Sequence, residues 1–181
     1  MNLPNKLTVS RVVLIPFFIA SVYLPGDQGH LTSTALFILA SLTDWLDGYL
    51  ARSRGEMTSF GKFLDPVADK LLVIAALIIL LAEQRAHMVA VLILVAREIV
   101  IMALREFMAG KGSGVPVSWV GKWKTAIQMS GITLLLLHDA FFGIALHNLG
   151  QILLYSSAIL AVWSAYLYIR SVWPHIMEGA S

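Results

Sequence analysis

Apolar stretches near the roughly 20 residues needed to cross a bilayer recur about six times in this chain, and that recurrence limits the fold more than any other feature. They run over Val9–Leu24, Leu31–Leu50, Phe63–Leu81, Met88–Phe107, Trp123–Leu137 and Ile152–Trp173. The expected architecture is an all-α integral membrane bundle of six transmembrane helices, with an N-terminal amphipathic segment around Asn5, Thr8 and Arg11 leading into the first. Composition agrees: 58% of the 181 residues are hydrophobic and 13% are charged, against about 25% charged in soluble domains. Pro25–Gly29 and Gly110–Pro116 read as loops from their glycine and proline content. The opening Met-Asn-Leu-Pro-Asn-Lys lacks the marks of a signal peptide, and a single domain over 1–181 without internal repeat is expected.

With no cysteine, disulfides and thiolate metal sites are excluded, and a net charge of +2 gives no reason to expect nucleic acid. The placement of the basic residues is more informative. If the N-terminus is cytoplasmic, the inner loops and helix ends collect Lys6, Arg11, Arg52, Arg54, Lys62, Lys70, Arg105, Lys111, Lys122, Lys124 and Arg170, and the outer loops hold Arg85 alone. Both termini are then expected in the cytosol. For Arg54, Lys70 and Arg170 this topological role is explanation enough.

Against this apolar background, Asp44, Asp47, Asp65 and Asp69 crowd the cytosolic ends of the second and third spans. A carboxylate in hydrocarbon costs at least a few kcal/mol, so it marks a functional site by default. On helices, Asp44 and Asp47 are three apart and Asp65 and Asp69 four apart, so each pair shares a face. Two such helices can aim four carboxylates at one point, and an all-oxygen donor set favours Mg²⁺ or Mn²⁺ over zinc. Two divalent ions would balance the four negative charges. Gly48, Ala51 and Gly61 remove bulk where helices pack or a ligand approaches, and Arg52 can bind a phosphate or a base edge bidentately.

The run Asp44-Trp-Leu-Asp47-Gly48-Tyr-Leu-Ala51-Arg52, eight residues, Gly61-Lys-Phe-Leu-Asp65-Pro-Val-Ala-Asp69 resembles in every fixed position the signature of the CDP-alcohol phosphotransferase family. The resemblance implies a six-helix membrane enzyme, a homodimer, and an active site opening to the cytosol. It also implies that Asp44, Asp47, Gly48, Ala51, Arg52 and Gly61 hold the cytidine nucleotide and that the four aspartates bind two metal ions. Asp69 is then the general base. The short chain, the opening Pro4-Asn5-Lys-Leu-Thr8-Val-Ser-Arg11 and the later Gly121-Lys122-Trp-Lys124-Thr125 are most similar to the bacterial branch that joins CDP-diacylglycerol to glycerol 3-phosphate. By the same resemblance, Asn5, Thr8 and Arg11 edge the nucleotide pocket.

Such an acceptor needs cations for its phosphate. Arg97 and Arg105 on the fourth span are the leading candidates, with Lys111, Lys122 and Lys124 near the next loop. Arg97 lies deep in an apolar helix and needs a partner or a wet cavity; Glu98, its neighbour, is an awkward partner because adjacent helical residues point apart. His87, His138 and His147 fall at the outer ends, away from the aspartates, and the Trp and Tyr residues near span ends fit an interfacial belt. Other acceptors used within the family, serine or inositol phosphate, remain open. From a different class, so does an Asp-lined cation transporter, although the outer halves of the spans are Leu, Ile, Val and Ala.

Overall fold

The computed structural model describes the backbone of residues 3–54, 59–111, 119–137 and 146–177, with side chains over 10–43, 67–111, 119–137, 146–174 and 176–177. Six α-helices fill these segments: α1 Leu3–Ser21, α2 Asp27–Arg54, α3 Ser59–Ala82, α4 Met88–Gly110, α5 Trp119–Leu137 and α6 Leu146–Met177. No strand occurs among the described residues. The proposed N-terminal segment is continuous with the first span as one helix from Leu3.

The α1–α2 turn is tighter than its composition suggested, because α2 already begins at Asp27, where a carboxylate complements the helix dipole. Gly26 supplies the reversal at φ +62°, and a Cβ on Gly29 would stand 2.4 Å from the Leu24 carbonyl oxygen. Both glycines are therefore fixed by backbone geometry. Between α3 and α4 the chain turns through Gln84 at φ +59°, and the Leu80 carbonyl oxygen accepts from the N–H groups of Arg85 and Ala86. Arg85 then locks this end of the bundle. Its guanidinium lies 3.2 Å from Glu83 Oε2 and 3.1 Å from His30 Nε2, while its carbonyl accepts from Gln151 Nε2 at 2.7 Å. The lone basic residue assigned to the outer loops thus ties α2 and α6 to the α3–α4 turn.

A continuous core built around Phe18, Phe37, Leu77, Leu94, Leu135 and Leu154 draws on all six helices. A smaller one joins α4 to α6 through Ile101, Met108, Tyr168 and Val172. Helices α5 and α6 approach most closely where glycines face the partner. A Cβ on Gly131 would lie 3.1 Å from Leu154 N, and one on Gly150 would lie 2.8 Å from Leu135 Cγ. Small residues serve this purpose wherever packing rather than water exclusion drives association. Gly131→Val is expected to cost about 1–3 kcal/mol through overpacking, read as a lower Tm in detergent with the helical circular dichroism retained below it; an unchanged Tm would mean that α5 and α6 can separate freely.

Large apolar side chains are also common on the outer surface. Val89, Leu92, Ile152, Ile159 and Val162 are exposed, Ile159 by 71%. Among the described residues one helical stretch, Leu146–Pro174, is long and apolar enough by composition to cross a membrane, with a shorter apolar piece at Ser10–Ser21. The charges that set α2, α3 and α4 apart from α6 have a common address. They cluster towards the C-terminal halves of α2 and α4 and the N-terminal half of α3, and in this up-and-down succession these fall at the end of the bundle opposite Arg85.

Candidate active site

Helical backbone runs through Asp44 and Asp47 in α2 and through Asp65 and Asp69 in α3, so the three- and four-residue spacings translate into shared helix faces as expected. The side chains of Asp44, Asp47, Ala51, Arg52 and Asp65 lie outside the described residues, as do the surroundings of Gly48 and Gly61 and the side chains of Asn5 and Thr8. Asp69 is described and is partly open, its side chain 34% exposed. Among the described residues no group of three or more His, Asp or Glu stands ready as a metal site.

Two cavities share a wall residue, Thr125, and Asp69 lines the larger of them. The larger, about 620 Å³, has the charged Asp69 and Arg11 and the hydroxyls of Ser41, Thr125, Ser130 and Thr133 in its lining, which is otherwise apolar. Arg11 is fully buried there, so this residue, placed by sequence on the membrane surface, is part of the interior. The smaller cavity, about 210 Å³, is lined by Lys70, Arg97, Glu98 and Arg105 together with Gly121 and Thr125. Its α4 wall repeats at Glu98, Ile101/Met102 and Arg105/Glu106, the period of one helix face. Thr125 borders both cavities.

Between them lies a network that the sequence did not disclose. Glu98, 3% exposed, accepts from three cations. Lys70 Nζ reaches its Oε2 at 2.9 Å, and Arg97 and Lys124 share its Oε1, with Arg97 Nη1 at 3.0 Å. Lys70 Nζ also lies 2.8 Å from Asp69 Oδ2. Arg97 continues to α6, donating from Nη2 to Ser164 Oγ at 3.1 Å. Three cations surround two carboxylates, which leaves one positive charge in excess at the cavity wall.

This network corrects two expectations. Glu98 does pair with Arg97, because the arginine's long side chain bends along the helix even though the two Cβ atoms diverge. Lys70 is an interior cross-link between α3 and α4 rather than a topology signal alone. Of the acceptor candidates, Arg97 and Arg105 share the smaller cavity, and Arg105 also stacks 5.7 Å over the Tyr168 ring. Lys124 is buried behind that wall on Glu98, whereas Lys122, two residues earlier on α5, is exposed outside it. Lys111 lies at the end of α4 with its ammonium 4.8 Å over the Phe107 ring. His87 and His147 stand at the starts of α4 and α6, remote from Asp69 along the chain's succession, and His138 lies outside the described residues.

Glu98 was the residue most open to detection. The rule that a charge in an apolar span is functional applied to it as strongly as to Arg97. Thr125 carried no comparable signal beyond its place in the Gly121-to-Thr125 run.

A carboxylate-bearing helix pair thus lies beside a larger, mostly apolar cavity and a smaller charged one. The chain belongs to the CDP-alcohol phosphatidyltransferase family, which it matches over residues 1–163. It is 46% identical over 174 residues to the CDP-diacylglycerol–glycerol-3-phosphate 3-phosphatidyltransferase of Haemophilus influenzae, covering 93% of this chain and 92% of that protein. Proteins of the same description from Yersinia pestis and Pseudomonas fluorescens are each 42% identical, covering 98% of both chains and 97% and 92% respectively.

Proposed function

We propose that this chain transfers the phosphatidyl group of CDP-diacylglycerol to glycerol 3-phosphate, giving phosphatidylglycerophosphate and CMP, as a multi-pass homodimeric enzyme of the bacterial cytoplasmic membrane. The activity for which its relatives are named and the family match support the reaction. The observation that carries it on this chain is the cavity holding the cations Lys70, Arg97 and Arg105, which shares Thr125 with the apolar one and whose Lys70 is paired with Asp69. The exposed apolar belt supports a membrane setting, since soluble monomers rarely show contiguous apolar patches beyond a few hundred Å². The concentration of basic residues at the aspartate end supports a cytosolic site.

The donor set fits divalent ions: Asp44, Asp47, Asp65 and Asp69 offer oxygen alone, on helices that are consecutive in the chain and packed together. When bound, two Mg²⁺ or Mn²⁺ would neutralise the diphosphate and the departing CMP. The protein's own groups do the rest. Asp44, Asp47, Gly48, Ala51, Arg52 and Gly61 hold the nucleotide, and the larger cavity receives the apolar part of the donor. Arg97 and Arg105 bind the acceptor phosphate, with Lys124 adding charge from behind and Lys122 serving the approach from solution. The 1-hydroxyl of glycerol 3-phosphate attacks the phosphatidyl phosphorus, the bond to CMP breaks, and the hydroxyl proton passes to Asp69. Because Lys70 engages Oδ2, Oδ1 receives it. A carboxylate is a weak base for an alcohol, so the proton moves late in the step.

CMP release by detergent-purified protein tests the reading against a panel of acceptors. Glycerol 3-phosphate should be used well, and serine, inositol and glycerol poorly, because a site built to pair a phosphate strands its cations when none arrives. Equal turnover with serine would assign the chain to another branch. Arg105→Ala should raise the KM for glycerol 3-phosphate by about tenfold or more, the loss of a charged hydrogen bond, with the KM for CDP-diacylglycerol little changed.

A further inference from the structure

The ion pairs form an unbroken chain from the reacting carboxylate to the arginine that faces the acceptor. Asp69 Oδ2 meets Lys70 Nζ at 2.8 Å, Lys70 meets Glu98 Oε2 at 2.9 Å, and Glu98 Oε1 meets Arg97 Nη1 at 3.0 Å. Lys124 from α5 closes on the same Oε1, and Ser164 from α6 holds the far side of Arg97. One carboxylate thus gathers α3, α4 and α5, with α6 attached through Arg97. Glu98 is 3% exposed and Lys124 1%, so the Glu98 end of the chain is shielded from the solvent that makes surface ion pairs loose and weak, while Lys70 and Asp69 at the other end are partly open. With both Glu98 oxygens engaged by cations from α3, α4 and α5, the network holds Lys70, and the Asp69 it touches, at a set distance from Arg97.

We infer that Lys70 and Glu98 are positioning residues that act as a ruler, selecting acceptors by the number of carbons between the attacking hydroxyl and the phosphate. The inference rests on the acceptor site proposed above. With the phosphate anchored on Arg97 and Arg105, only a hydroxyl at the matching distance reaches both Asp69 and the phosphorus under attack. Adding or removing one carbon shifts that hydroxyl by about 1 Å, a displacement that can cost on the order of 10²-fold in rate. Both line the acceptor cavity and Lys70 touches Asp69, yet neither needs to touch the attacking hydroxyl or the phosphorus. Their effect is on selectivity, and it is distinct from any effect on folding, which lowers activity towards all acceptors together.

The test uses the full-length protein with CDP-diacylglycerol in mixed micelles, Mg²⁺, and three acceptors: 2-hydroxyethyl, 3-hydroxypropyl and 4-hydroxybutyl phosphate. For each, kcat/KM is measured by CMP release. The native protein should prefer the three-carbon compound to both others by at least about tenfold, and Lys70→Met and Glu98→Gln should flatten that preference to within about threefold. Glu98→Gln leaves three cations around a neutral amide and endangers the fold. Lys70→Met keeps Glu98 paired with Arg97 and Lys124, so it decides the matter alone if the glutamine variant gives no folded protein. Arg105→Ala is the reference arm. If it raises the KM for all three acceptors while Lys70→Met keeps the native preference, the ruler is wrong and the phosphate site stands. If Arg105→Ala leaves every KM unchanged, the acceptor binds elsewhere and the ruler falls with it. A native protein indifferent to chain length also overturns the proposal.

Discussion

Asp69→Asn is expected to lower kcat by roughly 10²–10⁴-fold, the range for a lost general base, while CDP-diacylglycerol affinity stays near the native value. The two effects separate because Asp69 lines the larger cavity, partly open, with one oxygen already given to Lys70. Asp44, Asp47 and Asp65 remain to hold the ions. An amide of the same shape keeps an oxygen and the contact volume but cannot take a proton from an alcohol. Affinity and single-turnover rate measured on one preparation, across pH, check this directly. Should affinity collapse in step with rate, Asp69 is chiefly a metal ligand and the proton goes elsewhere.

Removing the metal should be more severe. EDTA is expected to abolish turnover, and Asp44→Asn, Asp47→Asn or Asp65→Asn should each weaken Mn²⁺ binding and CDP-lipid binding together, by about tenfold or more in each case. The cause is lost ligation. In the proposed site Asp44, Asp47 and Asp65 would carry the ions while Asp69 handles the proton, so losing one of those three would leave the ions underheld and the diphosphate without its clamp. Mn²⁺ titration followed by electron paramagnetic resonance, beside CDP-lipid binding on the same variants, measures both. Full activity in EDTA would remove the metal from the reaction altogether.

The helices and their order were legible because each apolar stretch carries its own length signal, which needs no knowledge of neighbours. Their ends were less so. α2 starts at Asp27 inside a stretch dominated by turn residues, because Gly26 completes the reversal alone and leaves Gly29 free to be helical. The spacing of the aspartates was legible for the same local reason. Lys122 and Lys124 show where that reach ends. Two residues apart on a helix, they point to nearly opposite sides, and only the position of α4 determines that Lys124 is the buried one. Lys70 and Glu98 are subject to the same limit, since their pairing exists only where α3 and α4 come together. A periodic pattern says which residues share a face, but not which face of another helix it meets.

Thr125, in the wall common to both cavities, has a consequence for how the rate should be counted. Under the proposed assignment of the two cavities, the reactant on one side of it is dissolved in a lipid sheet, and its availability is a number of molecules per unit area. On the other side the reactant comes from water and is measured per unit volume. Diluting the donor lipid with inert detergent at fixed total donor should slow the reaction, although nothing in the test tube has changed in molar terms. Apparent constants from different micelles become comparable only when the donor is expressed as a mole fraction of the surface.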